Sequence, residues 1–157
     1  MAYELDQLAA VVATLGPEPF DLVGTSMGAL AAVAWAAACP DTVRRLVLYG
    51  GWVSGADISP PSALLAMSYS LDITDLLAQV HAPTLVVHRA HDRAAPVEQA
   101  ATLADGIAGA QLVVLSGRSH LPYVGDTQTL VATIRLRLGF RSRAQIAAWY
   151  STHREAN

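Results

Sequence analysis

Four short apolar runs alternate with helical segments along the 157-residue chain, and this alternation constrains the fold most strongly. Each run is apolar almost throughout, which indicates a strand buried on both faces rather than one with a solvated face. The predicted strands cover residues 20–24, 45–49, 84–88 and 111–115. Such strands, separated by helices, predict the α/β class, with a parallel sheet covered by helices on both faces.

The segments around these runs carry helical spacing and helix-ending residues. Pro17 follows the first helix, Pro40 follows an alanine-rich one, and Pro96 lies in the first turn of another. Asp126 or Thr127 is predicted to cap a later helix. The predicted helices cover residues 5–15, 27–39, 96–107, a stretch after 126 and about 143–150, and a loop with one short helix near 64–67 fills 52–70.

Composition and charge exclude several classes of protein. The chain is 53% hydrophobic and 15% charged, but it has no uninterrupted apolar stretch of the roughly 18 residues that a membrane span needs. The acidic, helical pattern of residues 1–6 is not that of a signal peptide. The net charge of −3 and the lack of a dominant basic face argue against nucleic-acid binding. We therefore expect neither a membrane nor a nucleic acid as partner.

Cysteine and histidine usage bears on the compartment and on metals. Cys39 is the single cysteine, so no intrachain disulfide can form; a cytoplasmic location and a buried apolar role for this thiol are the expectations. His88 and His91 are spaced as a ligand pair but have no further ligands at suitable spacing. We interpret His88 as a core residue and His91 as solvated. No metal and no cofactor are predicted.

The motif Gly24-Thr25-Ser26-Met27-Gly28 lies directly after a predicted strand and at the start of a predicted helix. A sharp strand-to-helix turn at this point lifts the serine hydroxyl out of the sheet, and glycines beside it avoid side-chain clashes. The helix N-terminus directs backbone N–H groups at any negative charge formed there. The alternative is that Ser26 is an ordinary helix N-cap.

Two further polar groups follow later strands. Asp92 follows the third predicted strand and His120 follows the fourth, so both lie at the carboxyl edge of a parallel sheet, where ligands bind. A serine needs a base, and the base needs an acid that orients it. The chain order serine, aspartate, histidine suits this chemistry on an α/β sheet. The alternatives are a turn aspartate and a loop histidine.

These residues support a resemblance. Segments 24–28, 88–96 and 117–126 resemble the α/β-hydrolase superfamily, and residues 120–126 most resemble hydrolase domains fused to bacterial regulators. The likeness covers roughly residues 3–138. It implies that Ser26 is the nucleophile, His120 the general base and Asp92 its orienting acid, with the backbone N–H of Met27 as one oxyanion-hole donor.

The same resemblance implies a function. We expect a carboxylesterase that cleaves small or short-chain esters through an acyl-enzyme. Amide hydrolysis, lactone hydrolysis and acyl transfer on the same triad are alternatives within enzymes. The alternative outside enzymes is a catalytically degenerate hydrolase fold kept as a binding or dimerisation module.

The sequence departs from the family in its first half. The nucleophile strand is the first strand here, the loop that supplies the second oxyanion donor has no counterpart, and the cap is reduced to about residues 52–70. Loss of one oxyanion donor costs about 100- to 1,000-fold in turnover. The segment Gly50-Gly51-Trp52, with Gly51 or Trp52 as the donor, or a second subunit could replace it. The fold class expected is thus a reduced α/β-hydrolase core of about four parallel strands.

The missing strands would expose the edge of strand 20–24. An unpaired apolar edge invites pairing with another chain, so a two-fold homodimer through this edge is predicted.

The C-terminal stretch carries a second resemblance. Residues 137–149 resemble the end of a LuxR-like helix-turn-helix, but the helices that would position a recognition helix are absent. We therefore divide the chain into a minimal hydrolase domain, 1–139, and a closing helix, 140–157, that does not bind DNA.

Overall fold

A computed structural model describes residues 2–58, 70–137 and 139. The helices predicted near 64–67 and 143–150, and the C-terminal segment 140–157, lie outside these residues. The helices are α1 Ala2–Val12, α2 Met27–Ala38, α3 Thr74–Leu77, α4 Val97–Gly106 and α5 Thr127–Arg137. The strands are β1 Phe20–Thr25, β2 Val43–Tyr49, β3 Thr84–Arg89 and β4 Gln111–Leu115.

The four strands form one parallel sheet in the order β1-β2-β3-β4. The predicted α/β class and the reduced core of four parallel strands are therefore confirmed. In this order the described part of the sheet has β2 and β3 inside and β1 and β4 outside. All four carboxyl ends lie at one edge, which brings the segments after β1, β3 and β4 to the same side of the molecule.

The element bounds differ from the predictions at a few places. β2 begins at Val43 rather than residue 45, and α1 ends at Val12. The short helix α3 was not predicted, because four residues are too few for a helical period to be recognised. Asp72 lies two residues before α3, and its Oδ1 accepts from the Thr74 N–H at 2.9 Å. Asp126 caps α5 by accepting from the Thr129 N–H at 3.0 Å.

One face of the sheet carries α2 and α4. Helix α2 packs on β1 and β2, helix α4 packs on β3 and β4, and α3 contacts both helices. Leu30, Leu46 and Leu48 are completely buried in this layer. The alanines of α2 allow it to approach the sheet closely, and this close approach fixes the position of the helix N-terminus beside the end of β1.

The opposite face packs against α5. Val47, Tyr49 and Val87 from the inner strands form a second apolar cluster with Leu130 of α5. Val23 of β1, the register partner of Val47, has 51% of its surface exposed. Helix α5 therefore covers the inner strands on this face and leaves Val23 of β1 largely exposed.

The edge of β1 bears on the predicted homodimer. Within residues 2–58, 70–137 and 139, this strand pairs with β2 alone. An ion pair between Asp21 Oδ1 and Arg44 Nε, at 2.8 Å, also joins the two strands. The homodimer stays a prediction.

Light scattering is expected to give twice the mass of one chain at micromolar concentration, and Val23→Lys is expected to lower that mass to one chain. A wild-type protein that is strictly monomeric would contradict this prediction.

Candidate active site

Ser26 lies in the turn between β1 and α2 with φ 54° and ψ −130°. Among the described residues other than glycine it alone has a positive φ, and such a conformation costs about 1–3 kcal/mol. Its backbone N–H donates to the carbonyl of Tyr49 at 2.9 Å, which ties the turn to β2. Its side chain makes no hydrogen bond that caps α2. The hydroxyl is thus directed away from the helix that it precedes.

The two glycines of the motif have different roles. A Cβ on Gly24 would lie 2.6 Å from the Gly28 carbonyl oxygen and 2.7 Å from Cα of Ala29, so only glycine lets β1 and α2 approach this closely. A Cβ on Gly28 would meet nothing within 4 Å. The expectation that both glycines avoid a clash holds for Gly24, and for Gly28 it is wrong.

The structure brings together Ser26, His120 and Asp92. The Nε2 atom of His120 lies 2.8 Å from Oγ of Ser26, and its Nδ1 atom lies 2.7 Å from Oδ2 of Asp92. These pairs are separated by 94 and 28 residues in the sequence. A carboxylate can only accept, so Nδ1–H donates to Asp92 and leaves Nε2 to accept from the serine hydroxyl. The line of hydrogen bonds from Asp92 through His120 to Ser26 is therefore continuous.

The acid is held in its charged form. Burial raises the pKa of Asp92, but hydrogen bonds from His120 and from the backbone N–H groups of Ala94 and Ala95 outweigh burial, so the pKa is lowered overall. The Oδ1 atom accepts from Ala94 at 2.9 Å and from Ala95 at 3.4 Å, while Oδ2 faces the imidazole. Each carboxylate oxygen thus has its own partners, which fixes the rotation of the group.

His88 lies beneath the acid. Its side chain is fully buried, and Nε2–H donates to the Ala95 carbonyl at 2.9 Å. The same nitrogen is 3.7 Å from Oδ2 of Asp92, beyond hydrogen-bond distance. His88 is therefore a core residue that supports the loop carrying Asp92. His91, next to that carboxylate, is exposed, in agreement with its interpretation as solvated.

The chain at the end of β2 passes beside both His120 and α2. Gly50 has φ 59°, and a Cβ on it would lie 3.3 Å from Cε1 of His120. A Cβ on Gly51 would lie 2.7 Å from Cβ of Ala29 in the first turn of α2. Gly50 belongs to the segment predicted to supply an oxyanion donor, but its contact with His120 was not predicted, since nothing in the neighbouring sequence indicates that an imidazole packs against it.

The predicted oxyanion donors lie in this neighbourhood. Met27 is the first residue of α2 and follows Ser26. Trp52 is buried, and its indole Nε1 has no hydrogen-bond partner among the described residues. Gly51 is buried beside it. A role for any of these groups in binding an oxyanion stays a prediction.

The described residues hold neither a metal cluster nor a membrane-spanning helix. Within residues 2–58, 70–137 and 139, no group of three or more histidine, cysteine, aspartate or glutamate side chains could hold a metal ion. None of the helices in that part of the chain is long and apolar enough to cross a membrane. The Cys39 thiol is free and half-buried, slightly more exposed than predicted.

Comparison with known proteins agrees with this architecture. Residues 2–73 match the family model of the alpha/beta hydrolase fold. A curated relative, pyrrolizixenacetamide deacetylase from Xenorhabdus hominickii, is 23% identical over an alignment that covers 82% of this chain and 69% of the relative.

Solved structures superpose well at low identity. The enol-lactonase from Burkholderia xenovorans LB400 gives a TM-score of 0.73 at 22% identity, covering 86% of this chain and 71% of the other. The meta-cleavage product hydrolase from Pseudomonas fluorescens IP01 gives 0.74 at 15% identity, covering 88% and 71%. The parallel sheet, the strained serine turn and these likenesses establish that the chain has the α/β-hydrolase fold, with four parallel strands in its described residues.

Proposed function

We propose that this protein is a serine hydrolase that cleaves small or short-chain carboxylic esters through an acyl-enzyme. The observation that carries the proposal is the continuous line of hydrogen bonds from Asp92 through His120 to Ser26, at 2.7 and 2.8 Å. The strained turn at Ser26 supports it as well, because strain of this kind clusters at functional sites.

In the proposed acylation step, Oγ of Ser26 attacks the ester carbonyl carbon while Nε2 of His120 takes the hydroxyl proton. Asp92 holds the imidazole in one tautomer and stabilises it once it is charged. The C–O bond to the alcohol then breaks, and His120 returns its proton to the leaving oxygen. The product of this step is the acyl ester of Ser26 and the free alcohol.

In the proposed deacylation step, a water molecule gives a proton to His120 and attacks the acyl carbon. The bond from that carbon to Oγ of Ser26 then breaks, His120 returns the proton to Oγ, and the acid leaves. The oxyanion formed in both steps would lie at the N-terminus of α2, where the helix dipole favours negative charge. The Met27 N–H is the proposed first donor, and Gly51 or Trp52 the proposed second. No cofactor enters either step.

A second candidate reaction is deacetylation of an amide. It is favoured by the name of the Xenorhabdus relative, which is a deacetylase whose name refers to an acetamide. The enol-lactonase neighbour favours the ester class, because a lactone is a cyclic ester. p-Nitrophenyl acetate and 4-nitroacetanilide make a matched pair, since they share the acetyl group and a nitrophenyl leaving group and differ only in the atom between them.

The alternative of a degenerate binding module is tested with a fluorophosphonate probe, which reacts with activated serines. We expect the folded protein to gain the mass of one phosphonate, with the modified peptide containing Ser26. Ser26→Ala and the urea-unfolded wild type are the controls, and both are expected to stay unlabelled. A folded wild type that is not labelled would favour the binding module.

A further inference from the structure

We propose that Tyr49 and Arg89, two buried side chains of the inner strands, position His120 by holding the loop 116–126 across the carboxyl edge of the sheet. The inference rests on the proposed function, because it concerns how the general base is placed. We call these two side chains the loop clamp. Both are positioning residues, since neither is within hydrogen-bond distance of the reacting atoms among the contacts described above.

The loop needs such a clamp because of the strand order. Ser26 follows β1 and His120 follows β4, which are the two outer strands of the described sheet. The segment after β4 must therefore turn back over β3 and β2 to reach the nucleophile. The three strand spacings from β4 to β1 amount to about 14 Å, a distance over which a free loop would sample many positions.

Arg89 holds both ends of this loop. It is the last residue of β3 and is 2% exposed. Its two terminal nitrogens donate to the carbonyl oxygens of Ser116 at 2.8 Å and Asp126 at 2.7 Å. These residues flank His120 on either side. Gly117, with φ 114°, lies against the Arg89 side chain, where a Cβ would be 3.5 Å from Cδ.

Tyr49 holds the middle of the loop. It is the last residue of β2 and is 1% exposed, and its hydroxyl donates to the carbonyl of Ser119 at 3.0 Å. Ser119 immediately precedes His120. The backbone carbonyl of Tyr49 accepts from the N–H of Ser26 at 2.9 Å. One residue of β2 is therefore bonded to both the nucleophile turn and the base loop.

Arg89 is also close to Asp92 in the sequence. The N–H of Asp92 donates to the Arg89 carbonyl at 3.2 Å, and the N–H of His91 donates to the Gly117 carbonyl at 3.0 Å. Through these bonds the acid loop and the base loop share one anchor. The 2.7 Å bond between His120 and Asp92 thus depends on two loops that Arg89 joins.

The surroundings of Arg89 show what its replacement removes. Its side chain is buried, and its Nε has no hydrogen-bond partner among the described residues. Arg89→Met leaves the carbonyls of Ser116 and Asp126 without these donors, which lowers stability as well as releasing the loop. Activity is therefore compared at equal concentrations of folded protein.

The test measures turnover and stability together. For p-nitrophenyl acetate we expect Arg89→Met to lower kcat about 10- to 100-fold with little change in KM, because a base displaced by about 1 Å costs up to that much. Tyr49→Phe, which removes one neutral hydrogen bond, is expected to lower kcat about three- to tenfold. Arg89→Lys, which keeps the charge but offers one nitrogen in place of two separate terminal nitrogens, should fall between wild type and Arg89→Met.

A spectroscopic signal reports the geometry independently of turnover. The proton between His120 Nδ1 and Asp92 should give a low-field resonance in the proton spectrum of the wild type, and this resonance should be lost or weakened in Arg89→Met. Arg44→Met is the matched control, since Arg44 is on the sheet, is 48% exposed and contacts no residue of the loop described here. It should keep both the resonance and the wild-type kcat.

Several outcomes would overturn the loop clamp. One is an Arg89→Met variant with wild-type kcat and an unchanged resonance. Another is a fall in kcat that is fully explained by the fraction of unfolded protein in each variant. If the wild type hydrolyses no ester and takes up no fluorophosphonate, the proposed function fails. The loop clamp is then judged on the resonance of the wild type and of Arg89→Met alone.

Discussion

Replacing Ser26 by alanine is expected to bring hydrolysis of p-nitrophenyl acetate down to the rate of the buffer. In a serine enzyme with a complete triad the loss of the nucleophile costs about a million-fold in kcat, because the covalent step has no substitute. His120→Ala should cost about as much, and the two changes together no more, since the residues act as one unit. The measurement is initial rate with excess substrate for wild type, both single variants and the double variant.

The control for this experiment is Ser26→Gly. Glycine adopts φ 54° without strain, so this variant should melt no lower than Ser26→Ala although it is equally inactive. 4-Nitroacetanilide is measured in parallel, and a faster rate on this amide than on the ester would move the proposal to deacetylation of amides. If wild type and Ser26→Ala hydrolyse the ester at one rate, the serine turn has no catalytic role.

Replacing Asp92 by asparagine is expected to lower kcat about 10,000-fold with the fold intact, the size of effect seen when the acid of a serine triad becomes an amide. The asparagine oxygen can still accept from Ala94 and Ala95, so the loop keeps its shape. Its NH₂ group would face Nδ1 of His120 and donate to it. The imidazole would then carry its proton on Nε2 and could not take one from Ser26.

The pH dependence of Asp92→Asn gives a second measurement of the same change. The pKa of Asp92 is lowered in the folded protein, so its charged form stabilises the fold above its unfolded pKa, and this contribution is lost as pH falls through the folded pKa. Thermal melts over acid pH should therefore show a smaller loss of stability in Asp92→Asn than in wild type. Parallel melting curves, or an Asp92→Asn variant with near wild-type kcat, would contradict the assigned role of Asp92.

The fold could be predicted from the sequence because its signals are local. Each strand is a continuous apolar run, and the glycine, proline and capping residues that bound the helices act within one turn. The positions of Ser26, Asp92 and His120 at the carboxyl edge of the sheet could be predicted in the same way, since each residue follows its own strand within a few residues. The ends of the observed strands differ from the predicted ends by one or two residues, as for β2, because apolar periodicity does not fix where strand pairing ends.

The parts of the site that escaped prediction depend on contacts between distant segments. Tyr49 and Arg89 look like ordinary strand-end residues, and their importance comes from carbonyl groups of the loop 116–126. The sequence around Gly50 is that of an ordinary glycine at the end of a strand, and its contact with the His120 imidazole depends on a segment 70 residues away. An arginine at the end of an otherwise apolar strand was the one available signal, because a buried cation requires several acceptors.

Ser26 and His120 follow the two outer strands of the described sheet, β1 and β4. On β4 the side chains of Leu112 and Val114 are exposed, and local opening starts where few apolar contacts hold a segment. In the proposed mechanism, local opening of β4 would separate the general base from the nucleophile while the inner strands, and most of the amide protons that they protect from exchange, remained in place. Hydrolysis would then be lost at a lower denaturant concentration than the protection of those amides.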